Sequence, residues 1–137
     1  APEALKRLKI KGAHEEAKGL MDQGQKVGAF TFFATQLQGE RSHAGLRSFA
    51  DAIRKTEPEA IIFLADSAGF CVAAAGGTVQ KQGISANELL KVSAEVAGGS
   101  GGGRPEMAQG KIQNPTLFGQ VKERLVGYIQ EQLKSKQ

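Results

Sequence analysis

The sequence predicts an α/β domain on a mixed sheet, with flanking helices and an amino-terminal helical arm, and three observations carry that expectation. A continuous apolar run, Ala60 to Ala65 (AIIFLA), has the pattern of a strand covered on both faces. An amphipathic segment separates it from the aromatic and β-branched stretch Val27 to Thr35 (VGAFTFFAT). A helix between two strands implies a parallel, right-handed β-α-β crossover. After four residues of turn chemistry, Asp66 to Gly69, a second apolar segment returns from Phe70 to Ala75, which makes a hairpin and an antiparallel neighbour.

The elements follow in order. From Pro2 to about Gln23, Leu5, Leu8, Ala13, Ala17, Leu20 and Met21 form an approximate helical stripe. Gly12 and Gly19 each weaken it by roughly 1 kcal/mol relative to alanine, so residues 1–25 read as an arm held by packing. Gly24-Gln25 breaks the pattern, and residues 26–137 read as the globular part. Val27 to Thr35 reads as one mostly buried strand. Ser42 can cap a helix to about Lys55, whose Leu46, Phe49, Ala50 and Ile53 share a face. Ser85 and Glu88 have capping-box spacing and open a helix through Leu89, Leu90, Val92 and Val96 that stops at Gly98. Asn114-Pro115 opens the last helix, with Leu117, Val121, Leu125, Tyr128, Ile129 and Leu133 as its stripe.

Composition narrows the function classes. The 137 residues suit a single domain, and 40% hydrophobic with 23% charged residues is ordinary globular composition. Eighteen Lys and Arg against fourteen Asp and Glu give a net charge of +4, which permits a polyanionic partner without requiring one. The longest uncharged stretch, Ser67 to Gln80, is too short and too glycine-rich for a membrane span, so no membrane partner is expected. One cysteine, Cys71, leaves no internal disulfide, CxxC pair or zinc knuckle, and suits a reducing compartment. The start at Ala1-Pro2 reads as a fragment of something longer.

Catalytic chemistry is poorly supplied. His14 and His43 fall in no metal-ligand spacing and read as solvated. Asp66-Ser67 lies at a strand end without a neighbouring base, so a turn role is the better reading. Cys71 reads as a small core side chain, with nothing beside it to stabilise a thiolate. No catalytic residue, metal site or cofactor is expected in this chain.

The unusual feature is Gly98 to Gly103 (GGSGGG), a glycine-rich loop in this reading, followed by Arg104-Pro105. A phosphate-binding P-loop needs GxxxxGK[ST] after a strand, and this run follows a helix and lacks the lysine. GxGxxG is also out of register, which removes a dinucleotide-binding reading. A flexible linker fits poorly, because a capped helix precedes the glycines and a compact run follows them. Tight backbone packing or close approach to a ligand suits Gly101, Gly102 and Gly103. Arg104 can fork onto a phosphate, Gln109 can donate and accept at a base edge, and Lys111 lies nearby. The densest basic group, Lys6, Arg7, Lys9 and Lys11, is either a second phosphate contact or a solubilising face. With no Trp and most Phe in apolar segments, base stacking and sequence-specific readout have little to draw on.

Gly98 to Gly110 (GGSGGGRPEMAQG) strongly resembles the glycine-rich signature near the carboxyl end of bacterial alanyl-tRNA synthetases. That signature belongs to the domain type shared with DHH-family phosphoesterases, the DHH-associated domain (DHHA1). The likeness is specific at Gly101, Gly102, Gly103, Arg104, Pro105, Met107, Ala108 and Gln109, and extends by organisation over Lys26 to Lys134. Ser100, Glu106 and Lys111-Ile112 depart from the usual pattern. Arg104 stands where the phosphoesterases carry histidine, which favours the synthetase branch.

The resemblance implies a DHHA1-like fold and a non-catalytic, tRNA-binding carboxyl-terminal domain of a cytoplasmic, ATP-using alanine-tRNA ligase of protein biosynthesis. Such a domain grips the outer corner of the tRNA and links aminoacylation with editing. Its implied partners are alanine-specific tRNA and the rest of the parent synthetase. The alternatives are a dimerisation or scaffolding module working as a homodimer, and the same domain from a free-standing alanyl-tRNA editing protein.

Overall fold

The computed structural model describes residues 24–28, 30–37, 39, 42–57 and 59–135. The predicted arm up to residue 23, with its stripe, His14, Lys6, Arg7, Lys9 and Lys11, lies outside the described residues. Six strands form one mixed sheet in the order β1-β2-β3-β4-β6-β5. They are β1 (Gln25–Val27), β2 (Phe30–Gln36), β3 (Ala60–Ala65), β4 (Phe70–Ala75), β5 (Gly99–Gly103) and β6 (Met107–Ile112). The helices are α1 (Ser42–Thr56), the short α2 (Gly77–Gln80), α3 (Ala86–Ala97) and α4 (Phe118–Ser135).

The predicted crossover and hairpin are both present. β2 and β3 pair in parallel, with Thr31 opposite Ala60, and α1 joins them. β4 then returns antiparallel to β3, with Ile61 opposite Ala75. Period-two alternation divides these strands between two cores. Phe32, Ile61, Phe63, Cys71 and Ala73 pack with Leu89, Val121, Leu125 and Ile129 of α3 and α4. Phe33, Ile62, Leu64, Val72 and Ala74 pack on Leu46, Phe49, Ala50 and Ile53 of α1. Both faces of β3 are thus covered, which is why AIIFLA is apolar at every position.

Four local expectations need correction. Val27 to Thr35 is two strands rather than one, because Gly28 takes the left-handed φ of 64° that a tight hairpin turn requires and pairs Val27 with Phe30. Gln25, read as the end of the arm, opens β1. Ser85 sits at the N-cap of α3 but its side chain makes no capping bond; the Ala86 N–H donates instead to the Pro105 carbonyl at 2.8 Å, so the β5–β6 turn closes the helix. Pro115–Leu117 forms a 3₁₀ turn before α4 starts at Phe118, and Asn114 caps through its carbonyl, which accepts from the Leu117 N–H at 3.0 Å.

The glycine run is the largest difference. It is an exposed edge strand, β5, antiparallel to β6 with Gly101 opposite Gly110. Sequence reasoning misses both strands because glycine has low strand propensity and MAQGKI carries no clear alternation. Mutual close approach explains the composition. A β-carbon on Gly101 would lie 2.9 Å from the Gly110 α-carbon and 3.0 Å from Leu90 Cδ1, and one on Gly110 would lie 2.4 Å from the Ser100 carbonyl oxygen. The two strands and α3 fit together only without those side chains.

Candidate nucleic-acid interface

The two faces of the β5–β6 ribbon differ. On one, Ala108, Gly110 and Ile112 are buried under α3 and α4. On the other, Met107, Gln109 and Lys111 alternate outward beside Ala74, Val72 and Phe70 of β4. Helix α1 covers β3 and β4 on that side and reaches the ribbon through His43 and Arg47. The result is a shelf of nearly bare backbone next to the flank of α1.

A groove of about 460 Å³ runs along this shelf, lined by Arg47, Gly102, Gly103, Arg104, Glu106, Met107, Ala108 and Gln109. Of the predicted residues, Gly102, Gly103, Arg104 and Gln109 therefore meet in one place. Gly101 does not, since its β-carbon direction points at Leu90 of α3. Lys111 lies two residues beyond Gln109 on the same face, with its ammonium 5.2 Å from the centre of the Phe70 ring. Lys6, Arg7, Lys9 and Lys11 are outside the described residues.

Arg104 is held loosely. Its side chain is 82% exposed and lies 3.7 Å from the Glu106 carboxylate, itself 51% exposed. A pair this exposed contributes about 0–1 kcal/mol, so a phosphate can displace it. Gln109 is different: its Oε1 is buried and has no hydrogen-bond partner. An acceptor left in that state costs on the order of 1–3 kcal/mol.

Arg47 was not legible as a site residue. It is exposed on α1 next to the buried stripe, and only the docking of α1 beside the ribbon brings it to the groove. His43, read as solvated, is half-buried. Its Nε2 lies 2.7 Å from the Gly110 carbonyl oxygen, and its ring meets Phe70 edge-on at 5.0 Å. A histidine one turn ahead of an apolar stripe carries no sequence signal for a partner 67 residues away.

The remaining polar residues are architectural. Asp66 is buried and its Oδ1 accepts from the Ala68 and Phe70 N–H groups at 2.9 and 3.0 Å, the turn role expected of it. Burial, followed by the Asp66 charge, pushes the Cys71 thiol up to about 12, so it is an inert core group. Among the described residues, no group of three or more His, Cys, Asp or Glu is placed to hold a metal, and no helix is long and apolar enough to cross a membrane.

A mixed sheet with a β-α-β crossover, helices on both faces and a glycine ribbon at one edge defines the class: the chain belongs to the DHHA1 domain family, whose profile matches residues 29–135. In sequence it is similar to the alanine–tRNA ligase of Shouchella clausii, with 32% identity over 131 residues, covering 93% of this chain and 14% of that protein. The ligase of Geobacillus kaustophilus is 32% identical over 126 residues, covering 90% and 14%. The chain thus spans about one-seventh of these relatives' length. In structure it resembles the C-Ala domain of Aquifex aeolicus alanyl-tRNA synthetase at a TM-score of 0.71 and 24% identity, covering 78% of this chain and 97% of that one. RecJ from Thermus thermophilus shares the fold at a TM-score of 0.65 and 20% identity, over 94% of this chain and 18% of RecJ.

Proposed function

We propose that this chain is a non-catalytic, tRNA-binding carboxyl-terminal segment of an alanine-tRNA ligase, acting in the cytoplasm with the remainder of the enzyme. The observation that carries the reading is the open face of the glycine ribbon, where Arg47 and Arg104 line a groove floored by Gly102 and Gly103, and Lys111 lies on the same face of β6. Such a surface suits folded RNA, whose phosphates and ribose hydroxyls are recognised by cations and peptide groups with little base stacking. The sequence likeness to alanine–tRNA ligases supports tRNA as the RNA concerned. On this reading the segment grips the outer corner of the tRNA and lets aminoacylation and editing share one bound molecule. Gly101, opposite Gly110, shapes the ribbon, while Gly102, Gly103, Arg104, Gln109 and Lys111 face the RNA.

A titration with folded tRNA and an unstructured RNA of equal length, each at two salt concentrations, tests the proposal. Tighter, salt-sensitive binding of the folded tRNA is expected. Equal or absent binding would overturn it. That result would favour the second reading, a homodimer or scaffold paired through the free edge of β5, whose five residues are all exposed. Mass measured against concentration would then detect the dimer.

A further inference from the structure

We infer that β5 and the turn after it, from Gly99 to Pro105, form a strap that opens as one unit while the rest of the domain stays folded. The inference goes beyond the RNA-binding reading and does not rest on it.

The strand itself is weakly held. All five residues of β5 are exposed, and its sequence, GSGGG, brings no apolar side chain to the core. Glycine loses more conformational freedom on ordering than any other residue, so little burial offsets a large entropic cost. Positive-φ glycines bracket the strand, Gly98 and Gly99 at 75° and 108° on one side and Gly103 at 154° on the other, and these can hinge without side-chain strain.

The flanks, by contrast, are fastened. The Gln113 and Asn114 N–H groups donate to the Gly98 and Ala97 carbonyls at 3.1 and 3.0 Å, and the Ala75 N–H donates to the Glu106 carbonyl at 3.0 Å. The chain from Gly98 to Glu106 can extend to about 26 Å, against about 23 Å for the stretch from Glu106 to Gln113 that it runs beside, so it can bow several ångströms clear with both anchors in place.

Opening has a defined pattern of lost bonds. It breaks the ladder to β6, the Arg104 N–H bond to the Met107 carbonyl at 3.0 Å, and the Ala86 N–H bond to the Pro105 carbonyl at 2.8 Å. The Arg104–Met107 bond fixes the antiparallel alternation, so the Gln109 and Lys111 N–H groups donate to β5, and those of Gly102 and Ser100 donate to β6. The Ile112 N–H donates instead to the Gly69 carbonyl at 2.8 Å, which aims the Ala108 and Gly110 N–H groups at β4 as well. The strap also supplies Gly102, Gly103 and Arg104 to the groove beside α1, so that groove exists only while the strap is closed. When it opens, β6 becomes the edge of the sheet.

The test is native-state hydrogen exchange of the whole chain, followed by NMR over a range of urea concentrations too low to unfold it. The Ser100, Gly102, Gln109, Lys111 and Ala86 amides should exchange together, about a hundredfold or more faster than those of Ala108, Gly110 and Ile112 and with a weaker dependence on urea. Gly102→Val places a β-branched residue where an added β-carbon meets nothing within 4 Å, and should slow exchange of the strap group about fivefold. Three results would each overturn the inference. Gln109 and Lys111 exchanging as slowly as Ala108 and Gly110 would mean that β5 opens only with the sheet. Ala86 staying protected while Gly102 exchanges would mean that the strap is not one unit. Unchanged exchange in Gly102→Val would mean that the order of β5 does not govern the opening.

Discussion

The Nε2 of His43 lies 2.7 Å from the carbonyl oxygen of Gly110, fastening the first turn of α1 to the central glycine of β6. A carbonyl can only accept, so Nε2 carries the proton in this contact. The bond joins the crossover helix to the strand that bears Gln109 and Lys111.

Replacing His43 with alanine removes this bond and the edge-on contact with Phe70, and should cost about 1–2 kcal/mol. Urea denaturation measures the loss. The Gly110 and Lys111 amide resonances should move more than those of β1 at the opposite edge of the sheet; an unchanged spectrum at β6 would contradict the tether.

The glycines of the ribbon should separate into two kinds. Gly99→Ala places a β-carbon 1.9 Å from the Lys111 carbonyl oxygen at a φ of 108°, and Gly101→Val drives into Gly110 and Leu90. Each should lower stability by about 2 kcal/mol or more. Gly102→Ala, with open space at that position, should stay within about 0.5 kcal/mol of wild type. Thermal melts of the three variants decide, and equal losses at all three would mean that β5 is not packed as described.

Arg104 is exposed, so Arg104→Ala should leave the melting temperature unaltered. Its effect should appear in RNA binding: affinity for folded tRNA falls, and the slope of log affinity against log salt decreases by about one, as for a single lost phosphate contact. A slope identical to wild type would remove Arg104 from the interface.

Cys71 predicts a loss of stability at alkaline pH. Its thiol is pushed up from 9.0 to about 12, first by burial and then by the Asp66 carboxylate, against backbone hydrogen bonding to Gly110 and Ile112. The folded chain holds this proton more tightly than the unfolded chain. The resulting stabilisation is complete below pH 9.0 and declines as pH rises toward about 12. Tyr128, raised by burial and by Glu88, adds a decline of the same sign. Denaturation midpoints across this range should fall less steeply in Cys71→Ala. At about pH 8, iodoacetamide should label the thiol slowly in the native chain and readily in denaturant.

Much of the architecture is local in origin and was therefore readable along the chain. Ala60–Ala65, a six-residue apolar run followed by turn residues, has a strand's length and reads as covered on both faces, and the α1 stripe buries one side, so the β2-α1-β3 crossover and the β3–β4 hairpin follow from short-range pattern. The motif at Gly98 to Gly110 likewise pointed to the family that the match at residues 29–135 establishes.

What pattern could not supply depends on contacts distant in sequence. Glycine has no side chain to reveal that Gly99–Gly103 is a strand; the pairing of Gly101 with Gly110 and the pressure of Leu90 make it one. Ser85 and Glu88 promised a capping box, yet the Pro105 carbonyl, brought in by the ribbon's turn, took the helix N-terminus. Arg47 and His43 lie beside a helical stripe and look like solvated residues until α1 is laid across the sheet. One then borders the groove while the other bonds to Gly110. Hydrophobic period records which face of an element is buried, but the neighbours that face acquires depend on packing between elements, and the candidate site is built from those neighbours.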